Sequence, residues 1–488
     1  MIVVRIGQLA EQLGTHRNTI RNWIKSGKLP ARLMGGKRYL VSEADFRKIC
    51  LKFGIDPSTL KVKHLPGSPL KKKDVAAPDE ALKNVGLRSG RLMLNSLWGD
   101  VCLTCGSCAS ICPISGVDGL DPRKAIRMAV LGLERDLIAS QWPWKCTFCG
   151  KCEEVCPMNM EIVAMLRRVR SLRDRSAVPA PLQEGLQAEL ATGNNLGISK
   201  PGFSTAVGAL SDEMSRGECP GFVAPVDAVG AEVLASVSSR CLFADPAQVK
   251  AWWKIFHVAG ESWTIPSENW DGVNWGYYTC DDEAMKTIVC RMVDNMYRLK
   301  CRTLLLPECG HAYFAARFGL NRWFRNDIKN FQIVSVFDLL MRYFREGRLE
   351  VDPGRHVKPT TYHDPCHYGR RSVKTFGQGY FEEGRAITRM CAGNYVEMVR
   401  GGEECACCGA GGGAWEMPFV EERIFHGRFK ARQIAASGAG LVIAPCQDCR
   451  AQILKGLSKE YHLDIEVKSL GELVADSLVI HTGRAIRD

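Results

Sequence analysis

The chain has 488 residues, 46% of them hydrophobic and 24% charged, which is the composition of a globular protein with several domains. Its most apolar stretch, residues 222–244, is interrupted by Asp227, Glu232 and Arg240, so a membrane span is not expected. The formal charge of +12 is uneven, because residues 1–80 contain 16 lysines and arginines against seven acidic residues, whereas the remainder is nearly neutral.

The chain contains 22 cysteines, far more than an ordinary globular protein of this size requires. It does not begin with a basic segment followed by a long apolar one, so no secretory signal is expected. In the reducing cytoplasm, clustered cysteines indicate metal or redox chemistry rather than structural disulfides. We therefore expect a cytoplasmic protein that reaches the cytoplasmic face of a membrane only through partners.

Residues 1–54 have the pattern of a compact helix-turn-helix unit. A helix with one apolar face ends at Gly14, Thr15 can cap a second helix, and residues 35–41 predict a small hairpin. The segment resembles the winged helix-turn-helix of MerR and excisionase proteins. DNA is a candidate partner, through the polar and basic residues Arg17, Asn18, Arg21, Lys25, Lys37 and Arg38. The alternative is a helical adaptor that docks a partner subunit.

The next segments differ in composition. Residues 55–90 are rich in proline and lysine, which predicts a basic linker between domains. Residues 91–175 are cysteine-rich and predict a helical domain, and residues 176–235 predict a second connector with several prolines and glycines. Together with the region that follows, these segments predict a multidomain α+β protein.

The carboxy-terminal region predicts an α/β arrangement, because short apolar strands alternate with amphipathic helices. Two of its strands, 302–306 and 440–444, each run into a loop that contains cysteine. This similarity indicates a weak internal duplication into halves 236–350 and 351–480.

The strongest functional signal is a pair of cysteine runs with the same spacing. The two runs, each followed by proline, are Cys102-x2-Cys105-x2-Cys108-x3-Cys112 and Cys146-x2-Cys149-x2-Cys152-x3-Cys156. This is the spacing of two-cluster ferredoxins, in which three close cysteines bind one [4Fe–4S] cluster and the fourth binds the other. We expect two cubane clusters, one held by Cys102, Cys105, Cys108 and Cys156 and the other by Cys146, Cys149, Cys152 and Cys112. Two zinc knuckles are the alternative. The long interval between the runs predicts a helical insertion.

A second group of cysteines lies in the last half of the chain. It comprises Cys366, the adjacent pair Cys407 and Cys408 before a glycine run, and the pair Cys446 and Cys449. Glycines allow a backbone to approach a bulky group closely. Four to five of these thiolates could therefore converge on one metal centre, the alternative being an oxidised Cys407–Cys408 pair beside unrelated thiols.

The order of these residues resembles the CCG domain of heterodisulfide reductase catalytic subunits, which also occurs in iron–sulfur subunits of glycolate and lactate oxidases. The full layout is similar to the fused D-type form of the reductase. The segments 274–276, 308–311 and 407–413 are similar to those of the DsrK, HmcF and TmcB subunits of membrane redox complexes, and the resemblance covers roughly residues 90–480. It implies a special, non-cubane [4Fe–4S] cluster that cleaves disulfides, held by Cys366, Cys407, Cys408, Cys446 and Cys449.

The first half departs from this family pattern. It lacks a Cys-Cys-Gly sequence, and Ala312 stands where a second cysteine should follow Cys309. We therefore expect one special cluster, in a second half paired with a degenerate first half. Glycolate and lactate oxidase subunits usually keep both motifs, so the departure favours the DsrK-like branch.

Three histidines, His311, His363 and His367, lie beside cysteine loops. Each is a candidate to supply a proton to a leaving thiolate, and each is equally suited to a supporting hydrogen bond. The tryptophans and tyrosines between residues 252 and 278 are expected to pack in the core rather than to form a docking surface.

These patterns predict an iron–sulfur oxidoreductase subunit that passes electrons through two clusters to a third, which reduces a disulfide. The resemblance implies a membrane cytochrome or another redox subunit as electron donor. The substrate would be a disulfide-bearing small protein or a low-molecular-weight heterodisulfide. Two alternatives are a redox-sensing DNA-binding regulator and an electron-transfer subunit without its own substrate.

Overall fold

The computed structural model describes residues 102–480, together with Ala10, Ile24 and the residues 2–5, 32–34, 38–41 and 63–64. The chain divides into two compact units, residues 1–89 and 90–488.

The first unit contains an antiparallel sheet with the strand order β2-β3-β1-β4. Its strands are β1 (Ile2–Arg5), β2 (Arg32–Met34), β3 (Arg38–Val41) and β4 (Lys63–His64). Strands β2 and β3 form the hairpin predicted from residues 35–41, with Leu33 opposite Tyr39. Ala10 and Ile24 are helical. The other residues of the predicted helix-turn-helix and most of the predicted linker, in which β4 falls, lie outside the described residues.

The cysteine-rich region of the second unit is helical, as expected. Its helices are α1 (Ser107–Ile111), α2 (Pro122–Val130), α3 (Glu134–Ala139), α4 (Trp142–Lys145), α5 (Lys151–Glu154) and α6 (Ile162–Ser171). Helices α2, α3 and α4 form the insertion predicted between the two cysteine runs. Leu137, Trp142, Phe148 and Val169 are fully buried and form the core of this region.

The stretch predicted as a second connector contains two substantial helices, α7 (Ala180–Thr192) and α8 (Lys200–Arg216). Proline occupies the first turn of both helices, where the absent N–H is not needed for a helical hydrogen bond. The prolines that suggested a linker therefore mark helix starts. Leu182 and Leu186 of α7 are buried in the main core.

The first α/β half contains a parallel sheet with the strand order β6-β5-β7-β8. Its strands are β5 (Val233–Ala235), β6 (Trp263–Thr264), β7 (Thr303–Leu305) and β8 (Gln332–Val334). Its helices are α9 (Ser239–Ala244), α10 (Pro246–Ala259), α11 (Trp275–Thr279), α12 (Asp282–Leu299), α13 (Gly310–Trp323) and α14 (Val336–Arg345).

The second α/β half has a parallel sheet with the strand order β11-β10-β9. Its strands are β9 (Thr360–Tyr362), β10 (Leu441–Ile443) and β11 (Glu466–Lys468). Its helices are α15 (Arg370–Phe376), α16 (Glu382–Cys391), α17 (Val420–Ser437), α18 (Gln447–Ala451), α19 (Ser458–Glu460) and α20 (Leu470–Ser477), with a π-helical turn at Gln452–Leu457.

The two halves share one topology, in agreement with the predicted duplication. Tyr395 forms a parallel bridge with Thr360 on the free side of β9, which is the place that β6 takes beside β5. The last helix of each half also begins with a capping box, at Ser335 in α14 and at Ser469 in α20. The loops that follow β9 and β10 therefore lie at the switch point of the second sheet, where open α/β sheets bind ligands.

The aromatic stretch of the first half is core, as expected. All seven of its tryptophans and tyrosines are at least 92% buried, namely Trp252, Trp253, Trp263, Trp270, Trp275, Tyr277 and Tyr278. Helix α11 can pack against α12 because residue 276 is glycine. A Cβ atom on Gly276 would lie 2.4 Å from the backbone nitrogen of Met285.

We expect Gly276→Ala to lower the free energy of unfolding by about 1–3 kcal/mol, because the added methyl group meets backbone that cannot move freely. Gly208→Ala is the matched control, since Gly208 lies on an exposed part of α8 with no atom within 4 Å of an added Cβ. Gly208→Ala should leave the free energy of unfolding unchanged or raise it by up to about 1 kcal/mol. Urea unfolding followed by circular dichroism measures both, and equal stability of the two variants would contradict the packing described.

Candidate functional site

The structure brings together the two sets of four cysteines that the sequence pairs. One cavity is lined by Cys102, Cys105, Cys108 and Cys156. The other is lined by Cys112, Cys146, Cys149 and Cys152. We refer to these eight residues as the ferredoxin-like cysteines. Cys105 is the exposed member of the set, whereas Cys108, Cys149 and Cys152 are buried.

The two cysteine runs fold alike. The residue before the second cysteine of each run, Thr104 or Phe148, has a positive φ of 52° or 54°. The glycine after that cysteine, Gly106 or Gly150, has a φ of 83° or 74° and precedes a short helix. Glycine adopts this left-handed conformation at little cost, which explains its place in both runs. The repeated turn directs each set of thiols toward one cavity.

The other predicted ligands, Cys366, Cys407, Cys408, Cys446 and Cys449, are called the CCG cysteines below. All five are at least 95% buried at the carboxyl ends of β9 and β10 and in the loop between them. The Sγ atoms of Cys408 and Cys449 are 3.1 Å apart. Cys366 packs against Cys407. None of the described cysteines forms a disulfide, so the oxidised Cys407–Cys408 alternative is not the state seen here.

The glycine run after Cys408 allows a close approach between two loops. A Cβ atom on Gly411 would lie 2.4 Å from the carbonyl oxygen of Thr147, and one on Gly412 would lie 2.6 Å from that of Cys146. The glycines therefore make room for the backbone of the second ferredoxin-like run.

This approach joins the two cysteine sets. Cys149, a ferredoxin-like cysteine, forms a buried cluster with Cys366 and Cys407 of the CCG set. Thr147 Oγ1 lies 3.6 Å from Cys407 Sγ and 3.4 Å from His426 Nε2. The ligand atoms of Cys149, Cys407 and His426 all lie within 4.8 Å of one another.

Two buried arginines hold the loops around this contact. Arg170, which is fully buried, donates hydrogen bonds to the carbonyl oxygens of Pro143, Trp144, Cys146, Tyr278 and Gly412. Arg370, which is 94% buried, donates to the carbonyl oxygens of Cys149, Cys405 and Glu403. These contacts join the ferredoxin-like region to both α/β halves.

The electrostatics favour the thiolate form of two CCG cysteines, Cys407 and Cys446. Hydrogen bonds from Cys149, Cys366 and Cys408 hold the pKa of Cys407 well below its usual value. Burial opposes ionisation of Cys446, but hydrogen bonds from Cys309 and Cys449 and the charge of His311 bring its pKa well below the usual value as well. Soft thiolates in sets of four or five are suitable ligands for iron–sulfur clusters.

The three predicted histidines occupy different positions. His311 Nδ1 lies 3.2 Å from Asp448 Oδ2 and 3.6 Å from Cys446 Sγ. Burial tends to lower the pKa of His311, but the Cys446 thiolate and Asp448 raise it to about 9. Burial lowers the pKa of His363 to about 3 and holds that of His367 well below its usual value. His363 is close to Cys408 and Cys449, and His367 Nδ1 lies 3.4 Å from Cys366 Sγ.

A small cavity that opens to solvent lies beside this site. Cys309, His311 and Asp448 lie on its wall. Half-buried Arg240 and Trp415 lie at its rim, where Arg240 forms ion pairs with Glu416 and Asp448. The cavity is the route by which a ligand could approach the cysteines from the side of the first half.

Several residues of the site could not be identified from the sequence. His426, on α17, lies within 4.8 Å of Cys149 and Cys407, but no motif spacing marks it. Arg170 and Thr147 are equally unmarked, because their partners are distant in the sequence.

Comparisons with known proteins agree with this organisation. The family model of a 4Fe-4S dicluster domain matches residues 98–160, that of the CCG cysteine-rich domain matches residues 360–454, and that of a helix-turn-helix domain matches residues 3–49. The chain is a relative of the D-type subunits of heterodisulfide reductase. The expected resemblance is thereby confirmed for the domain types and for the homologues.

The D-type subunit of the dihydromethanophenazine:CoB–CoM heterodisulfide reductase of Methanosarcina mazei is 28% identical over 180 residues, which are 36% of this chain and 41% of that protein. An Hdr-like menaquinol oxidoreductase iron–sulfur subunit of Archaeoglobus profundus is 24% identical over 344 residues, 60% of this chain and 59% of the relative. An EtfAB:quinone oxidoreductase of Syntrophomonas wolfei is 24% identical over 38% of this chain and 27% of its own length. The chain thus spans less than two thirds of each of these relatives. Among the described residues, no helix combines the length and apolar character needed to cross a membrane.

We expect Arg170→Met to lower the free energy of unfolding by at least about 3 kcal/mol, because it leaves several buried carbonyl oxygens without a donor. Arg168→Met on the same helix is the control, since no side-chain hydrogen bond or ion pair of Arg168 is found among the described residues. Anaerobic urea unfolding followed by circular dichroism measures the difference. If both variants unfold at the same urea concentration, Arg170 does not hold the loops together.

Proposed function

We propose that the chain is an iron–sulfur oxidoreductase subunit that delivers electrons to a disulfide at the CCG cysteines. The homologues are heterodisulfide reductase and Hdr-like iron–sulfur subunits, which supports iron–sulfur electron transfer as the general role. The disulfide substrate, the direction of electron flow and the partners belong to the proposal.

The ferredoxin-like cysteines would hold two cubane [4Fe–4S] clusters, in the two sets that line separate cavities. The CCG cysteines would hold one special, non-cubane [4Fe–4S] cluster. When bound, these clusters would supply the single electrons that reduction of a disulfide requires.

One observation carries the proposal: Cys149 lies in contact with Cys366 and Cys407. A protein that only bound clusters for stability would not need to bury the two cysteine sets against each other. Here the second ferredoxin-like set and the CCG set are in direct contact in the protein interior. Electrons therefore have a direct route from one set to the other that is protected from solvent.

We propose that the substrate approaches through the cavity beside the CCG cysteines. Reduction of a disulfide consumes two electrons and two protons and releases two thiols. His311 lines this cavity, whereas His363 and His367 do not, so its position makes it the candidate to protonate a leaving thiolate. A disulfide on a small protein or in a small heterodisulfide would approach past Arg240 and Trp415.

The electron donor is proposed to be another subunit of a membrane-associated respiratory complex, such as a cytochrome. Support comes from the relatives, one of which is described as a menaquinol oxidoreductase subunit and another as a quinone oxidoreductase. We propose a cytoplasmic location, with the chain held at the cytoplasmic face of the membrane through such partners.

We expect Cys408→Ser to abolish disulfide reduction while the two ferredoxin-like clusters remain. Iron should fall from about 12 to about eight atoms per chain, as expected for the loss of one four-iron cluster of three. Iron and acid-labile sulfide are measured on anaerobically purified protein, and turnover is measured with a reduced dye and a disulfide.

Cys391→Ser is the control for this experiment. Cys391 is fully buried on α16, and Ser477 is its hydrogen-bonding neighbour, so no CCG cysteine depends on it. Undiminished turnover in Cys408→Ser would contradict the catalytic assignment. About eight iron atoms in the fully loaded wild type would leave an electron-transfer subunit without a third cluster.

The helix-turn-helix match supports a second candidate function, that of a redox-sensing DNA-binding regulator. A regulator should bind one DNA sequence well above competitor DNA at physiological salt, with an affinity that differs between the oxidised and reduced protein. Arg21→Ala and Lys25→Ala should weaken that binding, whereas Arg216→Ala, on exposed α8, should not. Equal and steeply salt-dependent binding to any DNA would reveal only a basic surface.

A further inference from the structure

We propose that Cys309 is an additional thiolate ligand of the metal centre at the CCG cysteines, so that both α/β halves hold one centre. This inference rests on the proposed function in assuming that a cluster is bound at the CCG cysteines. It adds a ligand from the half that the sequence marks as degenerate.

Cys309 and Cys446 occupy equivalent places in the two halves. Cys309 follows β7 and precedes α13, and Cys446 follows β10, the equivalent strand, and precedes α18. Their backbone angles are nearly the same, with φ of −149° and −155° and ψ of 119° and 120°. The two halves face each other with these positions opposed.

The thiols of this pair are placed for a shared metal. The distance between the Sγ atoms of Cys309 and Cys446 is 3.9 Å. Two thiolates bound about 2.3 Å from one tetrahedral ion lie about 3.8 Å apart. The observed separation therefore suits joint ligation without any movement of the backbone.

His311 lies beside both thiols. His311 Nδ1 lies 3.9 Å from Cys309 Sγ and 3.6 Å from Cys446 Sγ. The three residues are at least 97% buried, and no hydrogen-bond partner of His311 Nε2 is found in the described part of the chain. Buried thiol donors gathered in this way are typical of iron and zinc sites.

The first half cannot hold a cluster of its own. Gly276 and Gly409 occupy equivalent positions, because each packs against the helix that follows it. Asn274 and Trp275 therefore stand where the second half has Cys407 and Cys408. The equivalent of Cys449 in the first half is Ala312. Cys309 is therefore left without thiol partners in its own half.

Cys309 also differs from the ordinary buried thiols of the chain. Cys301 and Cys280, for example, donate hydrogen bonds to nearby backbone carbonyl oxygens. Cys309 instead faces another thiol and a histidine, and it lines the open cavity. A ligand at this position would stand between the CCG cysteines and the incoming disulfide.

The test uses the full chain, purified anaerobically with ⁵⁷Fe. Mössbauer and oxidised-state electron paramagnetic resonance spectra are first recorded for the wild type and for Cys449→Ala. The signals that the variant lacks are those of the CCG centre. We expect Cys309→Ala to shift or abolish those same signals, while the signals of the ferredoxin-like clusters remain as an internal check on folding. Cys301→Ala, a buried thiol of the same half, should match the wild type in every signal.

Cys309→Ser is measured in parallel because serine keeps the volume of the side chain and can supply oxygen in place of sulfur. Its signals should differ from the wild type if residue 309 binds iron. Wild-type signals in both Cys309 variants would overturn the inference and leave the proposed function intact, since the centre would still be present. If the wild-type and Cys449→Ala spectra are the same, the wild type has no CCG centre, and the proposed function itself is overturned.

Discussion

The guanidinium of Arg170 lies where three parts of the chain meet. Its hydrogen bonds reach the backbone at Cys146 in the second ferredoxin-like run, at Tyr278 in the first α/β half and at Gly412 in the second half. The glycine run permits this meeting, because side chains at Gly411 or Gly412 would collide with the Cys146–Thr147 backbone. The contact between Cys149, Cys366 and Cys407 depends on both features.

Buried positive charge is a second constraint on this region. Thiolates and iron–sulfur clusters carry negative charge, which is costly to bury without compensation. Arg370 lies beside Cys149 and Cys405, and Arg371 forms a 2.7 Å ion pair with Glu153 next to the same run. Arg370 satisfies backbone carbonyl oxygens and offsets the charge of the thiolates, whereas Arg371 balances the buried charge of Glu153.

Much of the architecture follows from the sequence, since cysteine spacing is local information. The runs at Cys102 and Cys146 predict two groups of four thiols, and the alternating pattern of the last half predicts two related sheets. The prolines of α7 and α8 were misleading, because proline marks helix starts as well as linkers. His426 and Arg170 could not be predicted, because their contacts join elements far apart in the sequence and leave no periodic pattern.

The degenerate first half contributes two side chains, Cys309 and His311, to the surroundings of Cys446. Cys309 and His311 fit no complete motif, but both point to the opposite half because the duplicated sheets face each other at equivalent ends. The cavity beside Asp448 lies on this side of the site.

Burial increases along the cysteine series, from exposed Cys105 to the CCG cysteines, all at least 95% buried. Dissolved oxygen therefore meets the chain first at the cavity that Cys105 lines. Of the two ferredoxin-like sets, brief handling in air should therefore damage the one that contains Cys105 first. Preparations exposed to air would then lose the outer end of the electron route before its buried inner part.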